Sequence, residues 1–194
     1  MKSFTPVYVP VGVPTFHMPS AEDAFARSCA LLRGIEPGFV CPADKLLSVE
    51  ALREYLEPLQ PDLIVFQNLT FANAAYMAEV LRRTSCPVVL WTLREPVIDG
   101  GRLRLNSLTG AYSAANTLRA FSDRPFVYVF GAPEEDRVQE ALKAAVAAAR
   151  VKHDMRSLKL AAVGHTPQGF GFGRALDGEL MDAFGVELET IEAR

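Results

Sequence analysis

The chain has 194 residues, of which 49% are hydrophobic and 22% are charged, and its net charge is -3 at pH 7. This composition is typical of a globular protein with one domain and room for the start of another. It argues against a basic nucleic-acid-binding surface, and no apolar run reaches the about 20 residues that a membrane helix needs.

The N-terminus and the cysteines indicate a cytoplasmic protein. The first strand-like run is interrupted by Pro10 and Pro14, which differs from the continuous apolar region of a signal peptide. Cys29, Cys41 and Cys86 have no CxxC spacing, so the sequence suggests neither a disulfide framework nor a zinc site. We therefore expect reduced thiols in a cytoplasmic protein that binds neither nucleic acid nor membrane.

Strand and helix patterns alternate along the larger part of the chain. In chain order, the sequence predicts a strand over 7–12, a helix over 24–32 capped by Ser20, an apolar segment at 39–41, a helix that Ser48 caps and that stops before Pro58, a strand over 63–66, a helix over 72–83, a strand over 88–91, a helix over 107–121, a strand over 126–130 and a helix over 137–150. The strands are continuous apolar runs, which indicates a parallel sheet that is covered on both faces. The prediction is an α/β fold with a doubly wound, Rossmann or flavodoxin-like parallel sheet.

A domain boundary is predicted in the polar stretch 151–157, before the elements of a second α/β domain. A strand over 158–163, a helix over 176–184 and a strand over 186–191 form one β-α-β unit. We therefore divide the chain into an N-terminal domain, 1–152, and the start of a second domain, 153–194. One β-α-β unit buries too little apolar area to form a domain by itself, so we expect it to continue in a longer protein or to pack on the first domain.

Polar and aromatic side chains directly follow the predicted strands. They are Phe71 after the strand over 63–66, Arg94 and Glu95 after the strand over 88–91, and Asn106 and Ser107 at the start of the next helix. Because open α/β sheets bind ligands at the carboxyl ends of their strands, we expect these residues to form a binding site.

These segments resemble the N-terminal domain of the L-fucose and L-arabinose isomerase family. The resemblance extends from the first strand through Ile191 and includes the segments Gln67-Asn-Leu-Thr-Phe-Ala-Asn73, Thr92-Leu-Arg-Glu-Pro96 and Asn106-Ser-Leu-Thr-Gly110. Members of this family interconvert aldoses and ketoses on a bound divalent metal. The resemblance implies that the chain is the N-terminal part of such an aldose-ketose isomerase.

The resemblance also implies a role for the loops. In the family, the N-terminal domain contributes to the active site of a neighbouring subunit in a trimer or hexamer, and the ligands of manganese come from the other domains. Thr15-Phe16-His17, Thr70-Phe71 and Asn106-Ser107 with Gly110 would then face the sugar of a neighbour. By this resemblance the chain alone binds no cofactor, has no catalytic residues of its own and is inactive, while the full-length homo-oligomer uses manganese.

Each candidate side chain also has a structural interpretation. Phe71 is either an apolar lid over a sugar ring or a core contact at the start of a helix. His17 either bonds a sugar hydroxyl or transfers a proton, or it is a solvated loop residue. Arg94 and Glu95 either bind sugar hydroxyls or form an ion pair in the loop or at a subunit interface.

The strand ends carry further polar side chains and one tryptophan. The amides of Gln67 and Asn68 suit a ligand rich in hydroxyls, or they cap the helix that follows. Trp91 ends an apolar strand, which indicates a core residue.

Other kinds of site are less well supported by the sequence. His17, His153 and His165 lie in separate segments with no acidic pair at metal-ligand spacing. The glycines of 169–173 are spaced GxGxG rather than GxGxxG, which argues against a dinucleotide site. Two alternatives to the isomerase stay open: a non-catalytic sugar-binding or regulatory α/β module, and a flavodoxin-like nucleotide binder.

Overall fold

The chain forms two compact units. The structure is a computed structural model and describes residues 3–173 and 175–192. One unit is Phe4–Ala147, and the other comprises the described residues from 148 onward together with Ser3. The division falls inside a helix, a few residues before the domain boundary that the sequence analysis places at 152.

The first unit alternates strand and helix as predicted. Its elements are β1 (Pro6–Val11), α1 (Met18–Ile35), α2 (Val49–Leu56), β2 (Leu63–Asn68), α3 (Ala74–Arg83), β3 (Val88–Thr92), α4 (Ser107–Phe121), β4 (Phe126–Phe130) and α5 (Asp136–Met155), whose end extends into the second unit. The predicted bounds of α4 and β4 are confirmed at both ends.

The strands of this unit form one parallel sheet in the order β1-β2-β3-β4. On the outer side of β1, Val40 and Leu46 make isolated parallel bridges to Val7 and Val11. The chain therefore passes outside β1 before it builds the rest of the sheet on the other side, and this reversal is a topological switch point. The predicted doubly wound α/β fold is confirmed. The apolar segment at 39–41 contributes a single bridge rather than a strand, since Pro42 has no N–H to extend the ladder.

The sheet is buried because its central strands are apolar on both faces. Every residue of β1, β2 and β3 is buried, whereas the edge strand β4 leaves Val127 and Tyr128 exposed. One face packs into a core with α2, α3 and α4, whose large members include Leu52, Phe66, Met77, Leu90 and Leu118. Burying a side chain of this size stabilises the fold by about 1.5–3 kcal/mol. The predicted core position of Trp91 is confirmed, because its side chain is fully buried.

The helix starts show which capping predictions hold. Ser48 caps α2 as predicted, since its side chain accepts the Ala51 N–H at 3.0 Å. The predicted cap of α1 at Ser20 is wrong: His17 is the N-cap, and Ser20 lies in the first turn, where its N–H binds the His17 ring. The cap of α3 is Asn73, which accepts the Ala75 N–H, so Gln67 and Asn68 do not serve as caps and lie within β2.

The predicted end of α5 at residue 150 is also wrong. The helix continues to Met155, into the polar stretch 151–157 where the domain boundary is predicted. Polarity alone does not end a helix, and the residues after 150 include neither glycine nor proline before the helix ends.

The second unit is a single β-α-β motif after α5. It contains β5 (Lys159–Val163), a 3-10 turn at Gly171–Gly173, α6 (Asp177–Phe184) and β6 (Glu187–Ile191), and β5 pairs in parallel with β6. The predicted β-α-β unit is confirmed. None of the helices in residues 3–173 and 175–192 has the length and hydropathy of a membrane-spanning segment.

Gly110 allows α4 to approach the end of β2 closely. A Cβ atom at this position would lie 2.5 Å from Asn68 Nδ2 and 3.0 Å from the Ala72 backbone nitrogen. Both neighbours are buried, and one of the two atoms is backbone, so neither side can move without disturbing the rim of the sheet.

We expect Gly110→Ala to destabilise the first unit by about 1–3 kcal/mol, the usual cost of overpacking a close contact. Urea unfolding followed by the fluorescence of Trp91, the single tryptophan, measures this unit directly. Gly34→Ala is the matched control, because nothing lies within 4 Å of its added Cβ, and alanine should stabilise α1 there by about 0.5–1 kcal/mol. Equal unfolding midpoints for the two variants would contradict this prediction.

Candidate functional site

Three loops meet at the carboxyl ends of β1, β2 and β3. The backbone N–H of His17 donates to the carbonyl of Arg104 at 2.9 Å, and the N–H of Phe71 donates to the carbonyl of Leu105 at 2.9 Å. The loop after β3 therefore binds both the loop after β1 and the loop after β2. The sequence-predicted residues Phe16, His17, Phe71, Glu95, Asn106 and Ser107 all lie on these connected segments.

An aromatic pair lies where the first two loops meet. The ring centroids of Phe16 and Phe71 are 6.3 Å apart, and the ring planes are inclined by 50°. Both side chains are half-buried, so part of each ring faces solvent. Tilted pairs at this separation attract each other, and the exposed part can cover the CH face of a bound sugar.

His17 holds the start of α1. Its Nδ1 accepts the backbone N–H of Ser20 at 3.3 Å and lies 2.8 Å from Ser20 Oγ. An Nδ1 atom that accepts a hydrogen bond carries no proton, so this network assigns the proton of the neutral ring to Nε2. The ring is exposed, and its Nε2–H can donate to a ligand while Nδ1 serves as the helix cap.

Glu95 fixes the long loop between β3 and α4. Its Oε1 accepts the N–H groups of Arg104 at 2.6 Å and Leu105 at 2.9 Å, and its Oε2 accepts the N–H of Asn106 at 3.0 Å. Hydrogen bonds to a carboxylate are shorter and stronger than those between neutral groups. Because these bonds use both carboxylate oxygens, Glu95 orders the loop that carries the other contacts of the rim.

Arg94 pairs with Glu135 rather than with its neighbour in the sequence. Its Nε and Nη2 donate to the Glu135 carboxylate at 3.0 and 3.2 Å, and its guanidinium lies 5.0 Å from the centroid of the Phe130 ring. The hydrogen bond from the Arg94 guanidinium makes the largest contribution to lowering the pKa of Glu135 to about 2, and the hydrogen bond from the Ala132 N–H makes the next largest. The structure thus places Arg94 in an ion pair between the loops after β3 and β4.

Asn106 and Ser107 begin α4 in different environments. Ser107 is buried, and its Oγ donates to the Asn68 carbonyl and accepts the Leu93 N–H at 2.9 Å, which joins the ends of β2 and β3. Asn106 is half-buried with a φ of 51°, in the left-handed region, and its Oδ1 accepts from Thr109 Oγ1 at 2.7 Å. Of the two side chains, Asn106 is the one that a ligand can reach.

The polar side chains at the end of β2 are buried. Gln67 accepts a hydrogen bond from the Tyr8 hydroxyl and donates to Ser28 Oγ at 3.1 Å. Burial raises the pKa of Tyr8 well above its ordinary value. Within residues 3–173 and 175–192, the buried Asn68 amide and the Thr92 hydroxyl have no hydrogen-bond partner. They are neighbours in the sheet register and lie at its ligand-binding edge.

A cavity of about 310 Å³ lies on the α1 side of the rim. Its lining includes Ser20, Arg27, Arg94, Glu95 and Glu134. Arg27 is paired with Glu134 at 2.7 Å and with Asp23 at 2.6 Å, so the cationic groups of this cavity are largely neutralised from within the protein.

Arg102 is a rim residue that the sequence analysis does not identify. Its guanidinium lies 5.1 Å from the centroid of the Phe16 ring, and its Nη2 donates to the Thr15 carbonyl at 3.1 Å. The signal in the sequence is weak, because Arg102 is one arginine of a polar connection with two glycines. Only the folded loop brings it against the aromatic pair.

The described residues do not form a metal site. No group of three or more His, Cys, Asp or Glu side chains in this part of the chain is arranged to hold an ion. His17, His153 and His165 lie in separate segments. The second unit has a cavity of about 510 Å³ at the ends of β5 and β6, lined by residues that include His165, Thr166 and Asp177.

The chain is similar over its whole length to curated sugar isomerases. It is 58% identical over 194 residues to a sulfoquinovose isomerase of Clostridium sp. (strain MSTE9), an alignment that covers 100% of this chain and 43% of the relative. The chain is homologous to a part of such isomerases. It is 38% identical over 195 residues to the sulfoquinovose isomerase of Priestia megaterium (strain ATCC 12872 / QMB1551), covering 99% of this chain and 43% of the relative.

A third relative is covered to a similar extent. The sulfoquinovose isomerase of Alkalicoccus urumqiensis is 35% identical over 190 residues, which covers 97% of this chain and 42% of the relative. The chain thus spans less than half the length of the curated relatives it matches. No protein-family model matches it. This sequence similarity confirms the predicted relation to a sugar isomerase. Membership of the L-fucose and L-arabinose isomerase family stays a prediction.

We expect Glu95→Gln to loosen the loop that ends at α4. Glutamine carries no charge, and an NH2 donor takes the place of one of the two carboxylate oxygens that accept the backbone N–H groups. A hydrogen bond to a charged group is worth about 1.5–3 kcal/mol, so the amides of Arg104, Leu105 and Asn106 should exchange with solvent about 10- to 100-fold faster. Hydrogen exchange followed by NMR measures this rate for each amide.

Asp99→Asn is the matched control in the same loop. The Asp99 carboxylate accepts a hydrogen bond from the N–H of Gly101 at 3.0 Å and makes none with the segment before α4. Unchanged exchange in Glu95→Gln, or equal acceleration in both variants, would show that Glu95 does not hold the loop.

Proposed function

We propose that this chain is the N-terminal part of a sulfoquinovose isomerase, an aldose-ketose isomerase of the L-fucose and L-arabinose isomerase type. The observation that carries this proposal is the 58% identity across the whole chain to an enzyme of that name. The doubly wound sheet with aromatic and polar side chains at its ligand-binding edge supports it.

The proposed role of the rim loops is to shape the sugar pocket of a neighbouring subunit. Phe16 and Phe71 would cover the CH face of the sugar and keep water from the reactive enediol. His17 Nε2–H and the exposed part of Asn106 would bond sugar hydroxyls. Glu95, Arg94 and Ser107 would act on the sugar indirectly, since their polar atoms bind other parts of the rim.

The proton transfer and the metal are proposed to belong to the rest of the parent enzyme. The described residues do not offer the set of convergent ligands that a catalytic manganese ion needs. No step of the reaction is therefore assigned to a metal held by these residues. This proposal requires a homo-oligomer in which one subunit completes the site of the next, and the family resemblance implies a trimer or a hexamer.

The test compares the complete polypeptide encoded by the gene of this chain with the 194-residue chain alone. With manganese and sulfoquinovose, we expect the complete polypeptide to convert the aldose to its ketose, as followed by NMR, and EDTA to abolish conversion. The 194-residue chain should give no conversion under the same conditions, because it lacks the proposed metal ligands.

The three outcomes that would contradict the proposal have different meanings. Conversion by the 194-residue chain alone would overturn its proposed supporting role. If the complete polypeptide converts no aldose but binds the sugar, the non-catalytic sugar-binding module is the better description. A tightly bound nucleotide in the purified protein would favour the nucleotide binder.

A further inference from the structure

Arg102 combines an exposed positive charge with a fixed position beside the aromatic pair. Its guanidinium lies over the Phe16 ring at 5.1 Å from the centroid, and one of its N–H groups donates to the Thr15 carbonyl at 3.1 Å. A cation over an aromatic face is attracted by the ring, and the carbonyl bond fixes the direction of the guanidinium. Since an arginine has five N–H donors, this arrangement leaves donors for a ligand.

Two other arginines close to the rim are neutralised by carboxylates. Arg94 is paired with Glu135 at 3.0 Å, and Arg27 is paired with Asp23 and Glu134 at 2.6 and 2.7 Å. In the part of the chain that the structure describes, no carboxylate lies within ion-pair distance of Arg102. Its charge is therefore available to an anion that comes from outside.

The carboxylates on the same loop are already bound by backbone groups. Glu95 accepts the N–H groups of residues 104, 105 and 106, and Asp99 accepts the N–H of Gly101. Because Glu95 also fixes the loop, the position of Arg102 relative to Phe16 is set before a ligand arrives. A preorganised cation loses little entropy when it binds an oxyanion.

We propose that Arg102 binds the anionic group of the sugar, the sulfonate, while the Phe16 and Phe71 rings cover the apolar face of the same molecule. This inference rests on the proposed function. A sulfonate presents three oxygens and is ionised at neutral pH, and the planar guanidinium donates to two oxygens of such a group at once. Arg102 is thus the residue that would distinguish an anionic sugar from its neutral analogue.

A phosphate ester of a sugar has the same recognition chemistry. Its oxygens also accept paired hydrogen bonds from a guanidinium. The experiment therefore includes a phosphorylated and a neutral sugar beside sulfoquinovose.

The test uses the complete polypeptide and the variants Arg102→Gln, Arg102→Lys and Arg119→Gln. Arg119→Gln is the matched control, because it removes the same charge from an exposed position in the last turn of α4. The value of kcat/KM is measured for sulfoquinovose, glucose 6-phosphate and glucose, and a sugar that is not converted is measured as a competitive inhibitor.

We expect Arg102→Gln to lower kcat/KM for sulfoquinovose about 10- to 100-fold, mainly through KM, as for the loss of a hydrogen bond to a charged group. The constant for glucose should change less than about threefold, because glucose has no anionic group for Arg102 to bind. Arg102→Lys should lie between wild type and Arg102→Gln, since lysine keeps the charge but not the planar pair of donors. Arg119→Gln should behave as wild type.

Three outcomes would overturn the inference. Equal losses for sulfoquinovose and glucose would show that Arg102 supports the fold of the loop, and no loss in Arg102→Gln would show that another group binds the sulfonate. If the wild-type enzyme prefers glucose 6-phosphate to sulfoquinovose, Arg102 recognises a phosphate rather than a sulfonate. In any of these cases, conversion of sulfoquinovose by the wild-type polypeptide would leave the proposed function in place and reject only the role of Arg102. If the wild-type polypeptide converts no sugar, the proposed function itself fails.

Discussion

The hydrogen bonds of the Glu95 carboxylate organise the ligand-binding edge of this sheet. By accepting the N–H groups of Arg104, Leu105 and Asn106, the carboxylate satisfies consecutive donors of a loop that has no regular secondary structure. The carbonyls of the same segment then bind the N–H groups of His17 and Phe71. Three loops from three strands thus share one anchor, and the Phe16–Phe71 pair lies where they join.

This arrangement would allow a single domain to provide part of a reaction site, as we propose. The rigid sheet sets the positions of the loops, Gly110 lets α4 approach Asn68, and Ser107 links the ends of β2 and β3. What the rim presents outward is an aromatic surface with a histidine N–H and an arginine. We propose that these groups bind and orient a sugar, whereas metal binding needs a cluster of ligands that the described residues do not bring together.

The fold follows from the sequence more completely than the site does. Continuous apolar strands, the Ser48 cap and the bounds of α4 are local patterns, and the structure confirms them. The α1 start is different, because a histidine ring replaces the serine hydroxyl that helix statistics favour. The partners of Glu95 and Arg102 depend on the path of an irregular loop, and Arg102 meets a carbonyl 87 residues away in the chain. No local pattern encodes such contacts. The sequence therefore predicts which segments lie at the rim, but it does not predict the hydrogen-bond partners of their side chains.

The most direct test of the account is a crystal structure of the complete enzyme with sulfoquinovose bound. We expect the sugar to lie at a subunit interface, against Phe16 and Phe71 of one subunit, with its metal held by residues of the neighbouring one. A sugar bound entirely within one subunit, with the rim loops of β1, β2 and β3 facing solvent, would contradict it.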